Sequence, residues 1–115
     1  MNNYKNLIIW QKSIKLVTYI YKITKKLPRE ELYNLTSQIR RSAISIPSNI
    51  AEWHGRNWRK EYKQFLGIAR WSAMELETQL IIAKELKYIN DNEFNEINKS
   101  IVEILKILSS IINKL

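Results

Sequence analysis

The chain of 115 residues contains no cysteine and only two glycines and two prolines. The lack of cysteine excludes disulfides and thiolate metal sites, and it is typical of a protein from a reducing compartment. So few glycines and prolines leave little material for the many tight turns of a β-sandwich. Long helices joined by short connections are therefore the favoured architecture.

Long apolar runs are also missing from the sequence. No stretch approaches the roughly 18 consecutive apolar residues that a membrane-spanning helix needs. The first twelve residues hold only the short apolar stretch Leu7–Trp10, which is too short for the core of a signal peptide. We therefore expect a cytoplasmic protein that does not bind membranes, because its apolar helix faces are needed for a core.

Catalytic signatures are scarce. His54 is the single histidine, whereas a catalytic histidine needs a nucleophile or an orienting carboxylate, and a zinc site usually needs several His or Cys ligands. Some helical-bundle ribonucleases carry an arginine four to six residues before a histidine, but here that stretch is Ser48–Ile50. Neither a Glu-x-x-His pair nor a glycine-rich phosphate loop is present. We expect no enzymatic activity, no cofactor and no metal site.

Hydrophobic residues make up 45% of the chain, and they recur three and four positions apart. This spacing is typical of amphipathic helices. It predicts four of them, over residues of about 7–27, 30–53, 58–86 and 92–114. Because the connections are short, neighbouring helices should pack antiparallel. The predicted fold is all-α: one domain over residues 1–115, an antiparallel up-down-up-down four-helix bundle.

The second predicted helix is unusual in two respects. Pro47 lies inside its apolar stripe, and an interior proline removes one backbone hydrogen bond and kinks a helix. Gly55 follows it as the expected C-terminal cap. The helix also carries many polar residues among its isoleucines. These side chains form either a polar network that sets helix register or a surface that meets another subunit, and we favour the second.

The charge is strongly basic: 19 Lys and Arg against 11 Asp and Glu give +8, with an isoelectric point near 9.8. A basic surface attracts phosphate backbones, although lysine can also serve solubility alone. The candidate phosphate contacts form one group at each end of the bundle and one in the middle: Lys22, Lys25, Lys26 and Arg29; Arg56, Arg59, Lys60 and Lys63; and Arg40 and Arg41.

Three aromatic residues lie near the second of these ends, Trp53, Trp58 and Tyr62. Aromatic rings on a basic surface can stack on unpaired bases. The alternative, which we favour for any single ring, is that it covers the end of the core.

The segment LTSQIRRSAISIPSNIAEWHGR (35–56) resembles the signature of the four-helix bundle family of proteins encoded in 23S rRNA intervening sequences. IIWQKSIKLVTYIYKIT (8–24) and EYKQFLGIARWSAMELETQLIIAKEL (61–86) match the same family, so the resemblance covers nearly the whole chain. The polar and motif residues that it places on the expected assembly surface are Gln38, Arg40, Arg41, Ser45, Pro47, Asn49, Glu52, Gly55 and Arg56.

The resemblance implies a ring-like homopentamer whose role centres on nucleic acid. A relative, the accessory variability determinant of diversity-generating retroelements, implies a second possibility, since it binds a reverse transcriptase. From the charge and the resemblance we predict a non-enzymatic, oligomeric protein that binds nucleic acid, RNA in particular. The alternative is a protein-interaction scaffold that serves as an accessory subunit of a reverse transcriptase.

Trp53 and Trp71 depart from the family pattern, which has glycine at both positions. Replacing glycine by tryptophan at a tight contact overpacks it and costs roughly 1–3 kcal/mol. Our hypothesis is that both codons are UGA, which some genetic codes read as glycine. A UGG codon at either position contradicts this hypothesis, and the rival interpretation is that the rings fill a real pocket.

Overall fold

The structure, a computed structural model, describes residues 3–115. It contains four α-helices, α1 (Ile8–Thr24), α2 (Leu35–Gly55), α3 (Gln64–Glu85) and α4 (Asp91–Lys114), and no strand within the described range. They form an elongated body of 43 × 22 × 21 Å. The predicted all-α, four-helix fold is confirmed. The predicted domain began at Met1, and residues 1 and 2 lie outside the described part.

The core is built from the apolar stripes that the three-and-four spacing predicted. Each of the four helices contributes fully buried side chains, among them Ile20, Ile39, Ile46, Ile50, Leu66, Leu76, Leu80, Ile97, Ile101, Ile104 and Leu108. Alanines at 69, 73 and 83 complete the stripe of α3 with small side chains. Over residues 3–115, no helix is both long enough and apolar enough to cross a membrane.

The contacts between α1 and α4 occur in the order expected of antiparallel neighbours. Between α1 and α4, Lys12 pairs with Glu103 at 2.9 Å, and Lys26, just beyond α1, pairs with Glu93. Residue numbers therefore rise along one helix as they fall along the other. Both poles of the body are consequently formed by helix ends, where the basic residues of the connections lie.

The helix boundaries differ from the predicted ones at the two basic connections. α1 ends at Thr24 rather than near residue 27. α2 begins at Leu35 rather than near residue 30, because Arg29–Glu31 form a separate 3₁₀ turn. Leu32, expected in the core stripe, is therefore 41% exposed. The Glu31 carboxylate reaches forward to accept a hydrogen bond from the Leu35 backbone N–H at 3.5 Å.

α2 runs without a break across the buried Pro47, as predicted. The prediction for Gly55 is wrong: it is the last helical residue, and it does not adopt the left-handed conformation of a glycine cap. The chain turns instead through Asn57 and Trp58, whose φ angles are 62° and 61°. This turn, followed by a 3₁₀ turn at Lys60–Tyr62, delays the start of α3 from the predicted residue 58 to Gln64.

Candidate nucleic-acid interface

The first pole lies where α1 ends and the chain turns towards α2. Lys22, Lys25 and Arg29 are exposed there, and none of them has a carboxylate within 4.0 Å in the described structure. Lys26 differs, because its Nζ donates to both carboxylate oxygens of Glu93, at 2.6 and 2.5 Å. Lys26 therefore fastens α1 to the start of α4, and three of the four predicted cations remain available to an anion.

The second pole lies between the end of α2 and the start of α3. Arg56 pairs with Glu52 one helical turn earlier, at 3.3 Å, and its guanidinium lies 5.2 Å from the centre of the Tyr62 ring. Arg59 forms an ion pair with Glu61. The two arginines are thus partly neutralised by acids of the same segment.

The two lysines of the second pole are free of such partners. Lys60 and Lys63 are exposed and line an open groove together with Arg59, Glu61 and Gln64. Among residues 3–115, neither forms an ion pair. Because Arg56 and Arg59 are paired with acids, the net charge of the second pole is lower than that of its four predicted cations.

Arg40 and Arg41 lie in the second turn of α2, nearer the start of the helix than the predicted mid-helix position, because α2 begins at Leu35. The Arg40 Nε donates to the Thr24 hydroxyl of α1 at 3.0 Å, and its guanidinium lies over the Tyr21 ring, 4.6 Å from the ring centre. Arg41 is exposed. Both arginines line a groove whose other residues come from α1, α2 and the connection between them: Tyr21, Leu32, Ser37, Ile44 and Ser45.

The aromatic residues of the second pole pack on one another. Trp53 is only 3% exposed, which agrees with the favoured interpretation that the ring covers the end of the core rather than stacking on bases. Trp58 covers it, with ring centres 5.4 Å apart, and also contacts the His54 ring at 4.7 Å. Trp58 remains 40% exposed, and Tyr62 is half-buried beneath Arg56. Trp58 is therefore the ring of the three that offers the most surface to a base.

The polar residues of α2 form a network with α3. Asn49 donates to the Ser45 backbone carbonyl at 2.8 Å and to the Ser45 hydroxyl at 3.0 Å, and Ser72 donates to the same hydroxyl at 2.8 Å. The network lies beside Pro47, whose ring lacks the backbone N–H that a helix interior normally supplies. The first of our two interpretations of this polar face therefore has direct support within one protomer.

An apolar groove beside that network was missed by the sequence reasoning. Trp71, Met74 and Ile82 of α3 are 63%, 44% and 44% exposed, and they line a groove that also includes Gln38 of α2. The available signal was that these three residues fall outside the three-and-four stripe of α3. Trp71 thus lies at the surface, unlike Trp53, and it overpacks no contact of the single chain.

Within residues 3–115, three ionisable groups have displaced pKa values, and each of them contacts a residue distant in the sequence. A hydrogen bond to Glu31 raises the pKa of Tyr88. Desolvation, together with a hydrogen bond to Glu96, raises the pKa of Tyr19. The backbone N–H of Asn90 and the Lys26 ammonium lower the pKa of Glu93. None of the three belongs to a cluster of catalytic groups, and no set of three potential metal ligands occurs within residues 3–115.

Comparison with known proteins identifies one matching family and a similar solved structure. The family model described as "23S rRNA-intervening sequence protein" matches residues 5–110. A similar solved structure is a protein of unknown function from the S23 ribosomal protein family of Bacteroides thetaiotaomicron VPI-5482. It is 32% identical, with a TM-score of 0.83 over 91% of this chain and 98% of that one. No curated protein matches the chain.

Proposed function

This chain belongs to the 23S rRNA-intervening sequence protein family, and from that premise we propose that it is a non-enzymatic, oligomeric protein that binds nucleic acid. The observation that carries the proposal is the set of exposed cations without acidic partners: Lys22, Lys25, Arg29, Arg41, Lys60 and Lys63. Uncompensated Lys and Arg side chains neutralise phosphates and release counterions, and this release drives binding.

RNA is the form of nucleic acid that we favour. The family takes its name from an insertion in 23S rRNA, and a partly exposed ring, Trp58, lies beside the cations of the second pole. An exposed ring among cations suits unpaired bases, which RNA loops and ends supply. A regular duplex keeps its bases stacked and would gain nothing from the ring.

The test is a titration of labelled 20-nucleotide single-stranded RNA by fluorescence anisotropy, in KCl from 50 to 200 mM. We expect affinity to fall by about tenfold or more across that range, because each phosphate contact adds to the salt dependence. A duplex DNA of equal length serves as the comparison and should bind more weakly. Absence of RNA binding at 50 mM KCl would contradict the proposal.

A second candidate function is favoured by the apolar groove of Trp71, Met74 and Ile82. Exposed apolar patches mark protein interaction sites, and this one suits the alternative of a scaffold that docks a reverse transcriptase. That function predicts weak RNA binding without preference for strand type, together with saturable binding of the enzyme. Preferential RNA binding in the titration above would argue for the first candidate.

A further inference from the structure

The guanidinium of Arg40 is fixed from two sides before any ligand arrives. Its Nε donates to Thr24 at 3.0 Å, and its plane lies over the Tyr21 ring at 4.6 Å. These two contacts orient the side chain. The hydrogen bond to Thr24 uses only Nε, so the two terminal nitrogens of the guanidinium remain available to a ligand. Terminal nitrogens in this fork geometry are those that contact phosphate oxygens in pairs.

Arg40 is half-buried and has no acidic partner in the described structure. Within residues 3–115 no carboxylate lies within 4.0 Å of Arg40 or Arg41, whereas Arg56 and Arg59 each have one. A charge withdrawn partly from water without an opposing charge is costly to keep. Arg70 is also half-buried without a carboxylate within 4.0 Å in the described structure. Arg40 differs from it because the Thr24 hydroxyl and the Tyr21 ring hold the guanidinium in an orientation that an anion can meet.

The groove around Arg40 supplies further hydrogen-bond donors. Ser45 accepts hydrogen bonds from Asn49 and Ser72, so its own O–H remains available to donate. Arg41 lines the same groove with its full charge exposed. Two guanidinium groups and a hydroxyl line this groove, and their N–H and O–H donors match the acceptor oxygens of a phosphate group.

From these contacts we infer that the groove of Arg40, Arg41 and Ser45 is a preorganised phosphate site on the face of α1 and α2, next to the first pole. This inference rests on the proposed function, because its ligand is a backbone phosphate of the bound RNA. The Thr24 and Tyr21 contacts position Arg40, and Arg41 adds the second cation. The poles then supply attraction at longer range, and this groove sets where the strand is held.

The test compares Arg40→Gln with Arg70→Gln in the RNA titration across the KCl series. Arg70 is a half-buried arginine of α3 outside all three basic groups, so it controls for loss of one charge. We expect Arg40→Gln to lower the affinity about tenfold at 100 mM KCl and to reduce the log–log salt slope by about 0.7, the value of one single-strand phosphate contact. Arg70→Gln should change neither quantity.

The variant Arg40→Lys separates charge from geometry. It retains the positive charge, so the salt slope should stay close to the wild-type slope. It loses the planar fork and the stacking on Tyr21, so we expect the affinity to fall severalfold. A lysine variant that binds as tightly as wild type would overturn the preorganised site.

NMR of the wild-type protein tests the phosphate site without any substitution, so it still applies if the variants unfold. In a ¹⁵N-labelled sample, the Nε–Hε resonance of Arg40 should shift on addition of the 20-nucleotide RNA, and in the same direction with inorganic phosphate at higher concentration. An Arg40 resonance that stays in place while those of other arginines move would overturn the site.

The possible outcomes separate this inference from the proposed function. If wild type fails to bind RNA at 50 mM KCl, both fall. If wild type binds and Arg40→Gln keeps its affinity and slope, the groove is not the site and the proposed function stands. If Arg40→Gln changes the oligomer mass in light scattering and leaves the salt slope intact, the anion is a carboxylate of a second copy, and the phosphate site is overturned.

Discussion

Asn57 and Trp58 both adopt the left-handed backbone conformation, with φ angles of 62° and 61°. Asparagine tolerates this conformation because its short polar side chain can bond locally, whereas a bulky residue such as tryptophan is strained there. Trp58 is held in place by its packing on Trp53 and His54. Packing and backbone preference therefore oppose each other at this residue, and glycine is the residue that its backbone favours.

Two substitutions of Trp58 distinguish the strain of its positive φ angle from the packing energy of its indole ring. Trp58→Ala and Trp58→Gly both remove the indole, but only glycine relieves the positive φ angle. We expect the glycine variant to be more stable than the alanine variant by about 1 kcal/mol, as measured by urea unfolding. Equal stabilities would show that residue 58 is not left-handed in solution. The gene sequence separately decides the recoding hypothesis for Trp53 and Trp71.

At the scale of the helix, α4 shows how a local sequence signal and a distant charge combine. Asn90 accepts a hydrogen bond from the Glu93 backbone at 2.8 Å, and the Glu93 side chain accepts one from the Asn90 backbone at 2.9 Å. This is a capping box, which begins a helix by satisfying two unpaired N–H groups. Lys26 adds an ion pair from the end of α1, so one carboxylate both starts α4 and fastens it to α1.

The lowered pKa of Glu93 makes its contribution depend on pH. Because folding depresses that pKa, the stabilisation is present at neutral pH and is lost as the pH falls below about 4, the ordinary range of a carboxylate, towards the lowered value. Glu93→Gln keeps the capping hydrogen bonds but removes the charge. We expect it to be less stable than wild type by roughly 0.5–1 kcal/mol at pH 7, with the difference narrowing as the pH falls from about 4 towards the lowered pKa of Glu93.

Thermal unfolding of both proteins between pH 3 and pH 7 measures this effect. Glu103→Gln is the matched control, because Glu103 pairs with Lys12 in an exposed position and caps no helix. Its effect should be smaller at every pH. A constant difference between wild type and Glu93→Gln across the range would show that the Glu93 charge does not stabilise the fold.

At the scale of the whole molecule, the apolar groove of α2 and α3 remains uncovered in the single chain. Trp71, Met74 and Ile82 expose large side chains there. A monomeric protein rarely leaves such a patch in water. For the first candidate function we propose that a second copy of the chain covers it, as in the ring-like homopentamer that the family resemblance implies. The second candidate function would place the reverse transcriptase there instead.

Light scattering coupled to size exclusion tests the assembly. Wild type should elute as an oligomer, and Ile82→Glu should dissociate it, because one buried anchor contributes about 2 kcal/mol or more, roughly thirtyfold in association. Ile8→Glu is the control: Ile8 is 65% exposed at the start of α1, outside the groove. A monomeric wild type, or equal effects of the two variants, would contradict the proposed interface.

The sequence alone determined the number of helices, their core stripes, the continuous helix across Pro47 and the basic charge. These features are local: the spacing of apolar residues sets which side of a helix is buried, and net charge is a sum over residues. The family motif of α2 is likewise contiguous, so it could be found without any knowledge of contacts.

Only the tertiary structure decided which cations are free. Lys26 meets an acid 67 positions away, and Arg40 meets a hydroxyl 16 positions away, so no local pattern distinguishes them from Lys22 or Arg41. Trp53 is buried and Trp71 is exposed, and this difference also depends on which neighbouring helix each ring meets. The ten predicted cations thereby separate into those that fasten the bundle and those that can face a phosphate, because partners distant in sequence decide whether a charge is neutralised.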